Sequence, residues 1–270
     1  MSLKGVAQET VRISDEGEYR APSGARVSIA ADAARARAGT RLYRPTDVVA
    51  PARGDGPPPR IEVWPEKTGA AARRLFAEEG IDDVALLNFA SAKNPGGGFL
   101  GGAKAQEEDL SRCSTLYRCL LEAPEYYAAN RAHGSLLYTD HVIYSPRVPF
   151  FRDESLELLE RPFVASVITA PAPNAGEELR RDPGARPAIA ATLRSRALRV
   201  LEIAALHGHR TLVLGAWGCG VFRNDPAECA EAFARGLEAM QGCFDRVVFA
   251  VYDRSGEGPN LRAFRGRFAA

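Results

Sequence analysis

The sequence predicts an α/β protein of three layers, with a sheet held between helices. Three observations carry that expectation. From Ile61 onward, apolar runs of strand length alternate with stretches of helical periodicity. One of these runs, Val84-Ala85-Leu86-Leu87-Asn88-Phe89, is almost unbroken, as in a strand covered on both faces. Twice a glycine-rich turn joins a strand to a helix, in NPGGGFLGGAKAQ and in GAWGCGVFRNDP.

The elements follow in order. Val6 to Asp15 reads as a short helix, and GEYRAPSGARVSI as a hairpin turning at Pro22-Ser23-Gly24. Ala30 to Ala38 is an Ala/Arg helix of weak amphipathicity, whose arginines read as a solvated face rather than a nucleic-acid contact. RGDGPPPR, residues 53–60, reads as a linker, and its Arg-Gly-Asp triplet as accidental. Residues 1–60 thus form an accessory segment packed on a domain spanning 61–270. In that domain Ile61 to Trp64 is a short strand and Thr68 to Glu79 a helix capped by Thr68. The strand 84–89 and the first glycine loop lead into a helix from Gln106 to Leu121. Leu137 and His141 to Ser145 suggest strands, and Phe163 to Thr169 is another. Pro187 to His207 is a long helix, Thr211 to Leu214 a strand, Pro226 to Met240 a helix, Arg246 to Tyr252 a strand, and Asn260 to Phe268 a closing helix.

Composition narrows the function. The 270 residues, 46% of them hydrophobic, suffice for one large domain or one domain with an extension. A net charge of +1 gives little long-range field for collecting nucleic acid or an anionic membrane, so an anionic ligand must be held by local groups. Five scattered cysteines (Cys113, Cys119, Cys219, Cys229, Cys243) read as reduced thiols of a cytoplasmic protein. Neither they nor the four histidines show ligand spacing, so no metal or cofactor is expected. No apolar run has the length of a signal peptide or a membrane span. A monomer is the simplest expectation.

In open α/β sheets, ligands bind beyond the carboxyl ends of the strands. The loops 88–106, 215–225 and 252–259 all lie there, so one site is expected among them. Glycine admits positive φ and close approach, and a strand–glycine turn–helix presents several free N–H groups at the positive end of a helix dipole. Two such loops at neighbouring strand ends can grip a diphosphate from both sides, although glycines also serve plain tight turns. Neither loop is a Walker A motif or a good G-x-G-x-x-G fingerprint. The acids Glu107, Glu108 and Asp109 suit a helix N-terminus on dipole grounds alone. Beside a phosphate cradle they gain meaning if the ligand also offers hydroxyls or a bond to be protonated, as a sugar diphosphate does. Adjacent helical residues point about 100° apart, so Glu107 and Glu108 should divide those two tasks, and the sequence does not say how.

The triplet Gly96-Gly97-Gly98, followed by Gln106-Glu107-Glu108, resembles the signature of poly(ADP-ribose) glycohydrolases. LLNFASAKNPGGGFLGGAKAQEEDLSRCSTLY resembles the compact bacterial type, GAWGCGVFRNDP its second phosphate loop, and GTRLYRP a further motif in the accessory segment. The resemblance implies a macrodomain fold with a mixed central sheet, binding of ADP-ribose, and hydrolysis of the ribose–ribose O-glycosidic bond of poly(ADP-ribose), with ADP-ribosylated proteins as partners. It implies that Glu108 is the catalytic acid and that Glu107 holds the terminal ribose hydroxyls, helped by Asn94 or Asn88, with Gln106 beside them. Gly96, Gly97 and Gly98 would contact ribose and diphosphate. Gly218, Cys219, Gly220 and Val221 would give backbone donors to the diphosphate, Phe222 would fix the ribose, and Tyr252 would lie nearest the adenine. A non-catalytic ADP-ribose reader, a hydrolase of mono-ADP-ribosylated proteins and a nucleotide-binding domain of other chemistry are the competing readings.

Overall fold

A computed structural model describes residues 2–49, 54–253 and 256–268. Its elements are α1 (Leu3–Glu16), β1 (Glu18–Arg20), β2 (Arg26–Ser28), α2 (Ala30–Gly39), β3 (Arg41–Tyr43), β4 (Arg60–Trp64), α3 (Thr68–Glu79), β5 (Val84–Phe89), α4 (Gln106–Cys113), α5 (Leu116–Leu120) and α6 (Pro124–Ala132). They continue with β6 (Val142–Arg152), β7 (Leu158–Ala170), α7 (Ala175–Arg181), α8 (Arg186–Leu206), β8 (Thr211–Leu214), α9 (Pro226–Ala239), β9 (Arg246–Ala250) and α10 (Pro259–Phe268). Apart from the β1–β2 hairpin, the strands form one mixed sheet of seven, ordered β3-β6-β7-β5-β8-β9-β4. The β7-β5-β8-β9-β4 neighbours run parallel, whereas β6 is antiparallel to both β3 and β7.

The unbroken apolar run is the middle strand of the sheet, and its alternation explains the three layers. Side chains of a strand point to opposite faces in turn. Ala85 and Leu87 pack into one core cluster with Leu193 and Val200 of α8 and Phe233 of α9. Val84 and Leu86 pack into the other with Leu75 of α3, Leu110 of α4 and Tyr126 of α6. Every residue from Val84 to Leu87 is therefore buried. The parallel strands end on one side, which gathers the segments following β5, β7, β8 and β9 as expected for a site at their carboxyl ends.

Several boundaries differ from the expectation. The helix expected from Gln106 to Leu121 breaks at Ser114, which is extended at φ −148° and ψ 178° and bridges to Phe150 of β6. The Ser114 hydroxyl donates to the Leu110 carbonyl at 2.7 Å, and Thr115 N–H donates to the Pro149 carbonyl at 3.2 Å. A tertiary contact with β6 thus interrupts a pattern whose apolar period runs on. The helix α6 was not expected, although Pro124 at its first turn is a normal start signal. Leu137 lies in a loop rather than a strand. The strand β6 runs through Pro146 and Pro149 because its pairing with β7 shifts register between Ser145 and Val148, where Arg147 takes φ 44°.

Residues 41–43, within the segment read as accessory, form the edge strand of the main sheet, paired with residues 142–144. The segment read as a linker packs closely as well. A Cβ at Gly54 would come within 2.0 Å of the Gly242 carbonyl oxygen. Arg53 of the Arg-Gly-Asp triplet lies outside the described residues.

Candidate active site

Gln106 fixes the geometry of the acid pair. Its Oε1 accepts from the Phe89 N–H at 2.8 Å, and its Nε2 donates to the Leu87 carbonyl at 2.7 Å and to Thr68 Oγ1 at 3.1 Å. The first residue of α4 is thereby stitched to the end of β5, and its amide is fully engaged. The next two side chains turn inward: Glu107 is 2% exposed and Glu108 8%.

The two glutamates have different surroundings. Glu107 Oε2 accepts from the Ser91 N–H at 2.7 Å, and its Oε1 accepts from Asn88 Nδ2 at 3.2 Å. Asn88 is itself fully buried and donates to Thr169 Oγ1 at 3.2 Å. Burial pushes the Glu107 carboxyl up to about 8, with Glu108 adding to the rise and Ser91, Asn88 and Gly96 pulling the other way. Glu108 Oε1 accepts from the Gly98 N–H at 2.8 Å. Its Oε2 is buried without a hydrogen-bond partner among the described residues.

This packing gives the first glycine loop its reason. Gly97 sits at φ 60°, and a Cβ there would fall 2.3 Å from Glu108 Oε1 and 3.1 Å from Glu107 Oε2. The loop turns through Gly97 N–H to the Asn94 carbonyl at 3.0 Å and Phe99 N–H to the Gly96 carbonyl at 3.0 Å. It lays its backbone directly against the carboxylates, where any side chain would push them away. The Asn94 side chain is exposed at the rim.

The second loop follows β8. Buried Trp217 donates Nε1–H to the Ala170 carbonyl at 3.2 Å, tying the loop to the end of β7. Gly218, at φ 72°, leaves room for Asn224, whose Nδ2 donates to the Gly218 carbonyl at 3.1 Å and the Pro173 carbonyl at 2.8 Å. Asp225 caps α9 by accepting from the Ala227 N–H at 2.8 Å. The Cys219 N–H is used inside the turn, on the Ala216 carbonyl at 3.2 Å, whereas the N–H groups of Gly220, Val221 and Phe222 have no acceptor among the described residues. Val221 is 80% exposed, and the space over Gly220 is open.

Phe222 joins the parts. With Ala92 of the first loop and with Leu136 and Tyr138 it forms a small cluster, the Tyr138 ring centroid lying 6.0 Å from its own. The loop carrying Leu136 and Tyr138 is anchored by Arg196 of α8, whose buried guanidinium donates to Asp140 Oδ1 at 2.8 Å, the Leu137 carbonyl at 3.1 Å and the Pro171 carbonyl at 2.6 Å. Tyr252, two residues past β9, is not part of this cluster; it is 54% exposed, with Lys67 Nζ 5.9 Å from its ring centroid. Sequence reasoning did not find Ser91, Thr169, Tyr138 or Arg196. Ser91 acts through its backbone, which no residue type advertises, and the others act through folding of distant segments.

The raised Glu107 carboxyl has a measurable consequence. A group whose folded pKa lies above its unfolded value gives stability that is complete below about 4.5 and is lost as pH rises towards about 8. Glu107→Gln removes that loss. Its melting temperature should exceed the wild-type value at pH 7.5, by an amount equivalent to roughly 2–4 kcal/mol, and the difference should shrink towards zero at pH 4.5. Thermal melts across that range measure it, and a difference independent of pH contradicts the assignment.

A mixed sheet between helical layers, with an acid pair and two glycine loops at the carboxyl ends of its strands, defines a macrodomain-like α/β domain. Residues 7–153 match the family model described as the microbial-type PARG catalytic domain. The crystal structure of poly(ADP-ribose) glycohydrolase from Thermomonospora curvata is 51% identical over 98% of this chain and 99% of its own, with a TM-score of 0.91. The same enzyme bound to the inhibitor ADP-HPD is 50% identical over 98% and 99%, with a TM-score of 0.89. The enzyme from Deinococcus radiodurans in complex with ADP-ribose is 50% identical over 87% of this chain and 96% of its own, with a TM-score of 0.81. No curated protein matches the chain. The chain belongs to the microbial-type poly(ADP-ribose) glycohydrolases, a family of glycosidases.

Proposed function

We propose that the chain cleaves the ribose–ribose O-glycosidic bonds of poly(ADP-ribose), releasing ADP-ribose, with Glu108 as the general acid. The observation that carries this reading is the inward-facing, unpartnered Oε2 of Glu108. Gly98 holds the other oxygen, and the fold gives the buried Oε2 no partner of its own among the described residues, which leaves its hydrogen-bonding capacity for a substrate oxygen. Departure of the leaving hydroxyl builds positive charge on the anomeric carbon and needs a proton on the bridging oxygen. Glu108 gives that proton, and its carboxylate then takes one from the water that completes hydrolysis.

Glu107 receives the terminal ribose hydroxyls. Asn88 and Ser91 orient it, Gln106 sets the start of α4, and Asn94 closes the rim. Gly96, Gly97 and Gly98 pass under the ribose and the nearer phosphate. Gly218 shapes the second loop, the free N–H groups of Gly220 and Val221 meet the diphosphate, and Cys219 holds the turn that aims them. Phe222 packs on the ribose, and Tyr252, with Lys67 above it, takes the adenine. The relatives bound to ADP-HPD and ADP-ribose support a ligand of this chemistry. Residues 1–60 brace the catalytic domain 61–270, since Thr10 Oγ1 donates to the carbonyl of Arg112 in α4 at 2.7 Å. The protein acts as a monomer in a reducing cytoplasm, where ADP-ribosylated proteins carry the polymer, a setting that suits its scattered cysteines.

Incubation with labelled polymer and, separately, with a mono-ADP-ribosylated protein tests the reading. Free ADP-ribose should appear from the polymer, while the protein-linked unit stays in place. Polymer bound but intact would make the domain a reader. Release of the protein-linked unit alone would make it a mono-ADP-ribosyl hydrolase.

A further inference from the structure

Of the 35 basic side chains, only four are lysines, and all four border the acid pair or its helix. Lys93 and Lys104 bracket the first glycine loop. The backbone N of Lys4 lies 3.4 Å from where a Cβ would stand on Gly102 in that loop, and Lys67 pairs with Asp109 of α4 at 3.1 Å. Lys4, Lys93 and Lys104 are exposed and have no ion pair among the described residues. Arginines elsewhere, such as Arg26, Arg37 and Arg44, sit on carboxylates. Folding does not account for these positions. Lys4 lies in the first turn of α1, whose cap is Ser2, and Lys104 lies just ahead of α4, so both stand at the positive end of a helix dipole, which disfavours a cation.

The acid pair gives these lysines a direction. Glu107 is held by Ser91, next to Ala92, which touches Phe222 of the second loop. Glu108 is held by Gly98, further along the first loop, against which Ala103 packs, a Cβ on Gly98 falling 2.6 Å from that of Ala103. Lys104 is the next residue, and Leu100, 47% exposed, lies in the same arm. In the polymer, the leaving oxygen that Glu108 protonates belongs to the adenosine ribose of the adjoining unit, and that ribose also carries the adjoining diphosphate. With the terminal diphosphate on the second loop, the segment from Gly98 to Lys104, which touches Glu108 through Gly98, is the flank left for the adjoining one.

We propose that Lys4 and Lys104 form a subsite for the diphosphate of the polymer unit on the leaving side of the scissile bond. The proposal rests on the assignment of Glu108 as the general acid. A lysine ammonium is a compact charge on a flexible stem with no demand for bidentate geometry. That suits a polyanion whose register changes after every cut. The subsite separates recognition of polymer from recognition of ADP-ribose, which never reaches it.

The test compares wild type, Lys4→Ala/Lys104→Ala and Lys4→Arg/Lys104→Arg. It measures kcat/KM for ADP-ribose release from long polymer across a series of salt concentrations, and Kd for free ADP-ribose by calorimetry. The double alanine variant should lose about 5- to 20-fold in kcat/KM at low salt, mostly in KM. The slope of log kcat/KM against log salt should flatten by about one. Affinity for ADP-ribose should change less than about twofold, and the arginine pair should restore most of the loss. An unchanged salt slope and kcat/KM overturn the proposal, as does an equal loss of ADP-ribose affinity. A wild type that releases nothing from polymer overturns the hydrolase reading itself, which is a separate result.

Discussion

Glu108→Gln lowers turnover of poly(ADP-ribose) by about 10² to 10⁴, the usual cost of losing a proton-transfer group, and leaves ADP-ribose binding nearly intact. The substitution keeps the size of the side chain and an oxygen for the Gly98 N–H, which now lies 2.8 Å from Glu108 Oε1. It removes only the transferable proton at the free atom. A loss of this origin falls on kcat, because the missing interaction exists in the transition state and not in the bound substrate. Steady-state kinetics with labelled polymer, alongside calorimetry with ADP-ribose, reads both quantities. Turnover within a factor of a few of wild type would remove Glu108 from the chemistry. Equal collapse of binding and turnover would assign it to holding the ligand instead.

Arg196→Met unfolds the protein at a temperature lower by roughly 10 °C, from a loss of about 3–5 kcal/mol. The guanidinium is 1% exposed, and a methionine there strands the carbonyls of Leu137 and Pro171 and leaves Asp140 without its cation. The effect reaches the site. Leu136 and Tyr138 form the floor under Phe222, and Arg196 ties their loop to Pro171 just past β7, beside the bond from the Asn174 N–H to the Leu136 carbonyl at 2.9 Å. Below its melting point the variant should therefore bind ADP-ribose more weakly than wild type, because the second loop has lost part of its support. Thermal melts and binding at 15 °C separate the two effects. Wild-type stability in the variant would contradict the role of the buried guanidinium.

The sheet was legible where burial alone dictates pattern. The unbroken 84–89 run, the paired glycine loops and the Gln-Glu-Glu triplet locate the middle strand and the carboxylates without any tertiary information. What the pattern missed depends on contacts between distant segments. Ser114 leaves the helical conformation for a bridge to Phe150, β6 carries two prolines by shifting its register, and Arg41 to Tyr43 is a strand only because residues 142–144 offer an edge. In the site, residue types announced the acids, but not the backbone N–H of Ser91 that holds Glu107, nor the asymmetry that leaves Glu108 one free oxygen. Gln106, read as a ligand contact, has every polar atom of its amide engaged by Phe89, Leu87 and Thr68, which suits a residue that positions α4.

The two outermost strands, β3 and β4, precede every other strand of the seven in the chain and lie on opposite margins of the sheet. On the ribosome β4 emerges with no neighbour, because its partner is the last strand, with Arg60 opposite Arg246 and Trp64 opposite Ala250. The nascent chain must carry an open hydrogen-bonding margin until β9 is translated, a condition that favours slow closure and invites association with other chains. The three prolines at 57–59, directly ahead of β4, lack the N–H groups that would extend such a ladder, and so shorten the exposed margin while it waits.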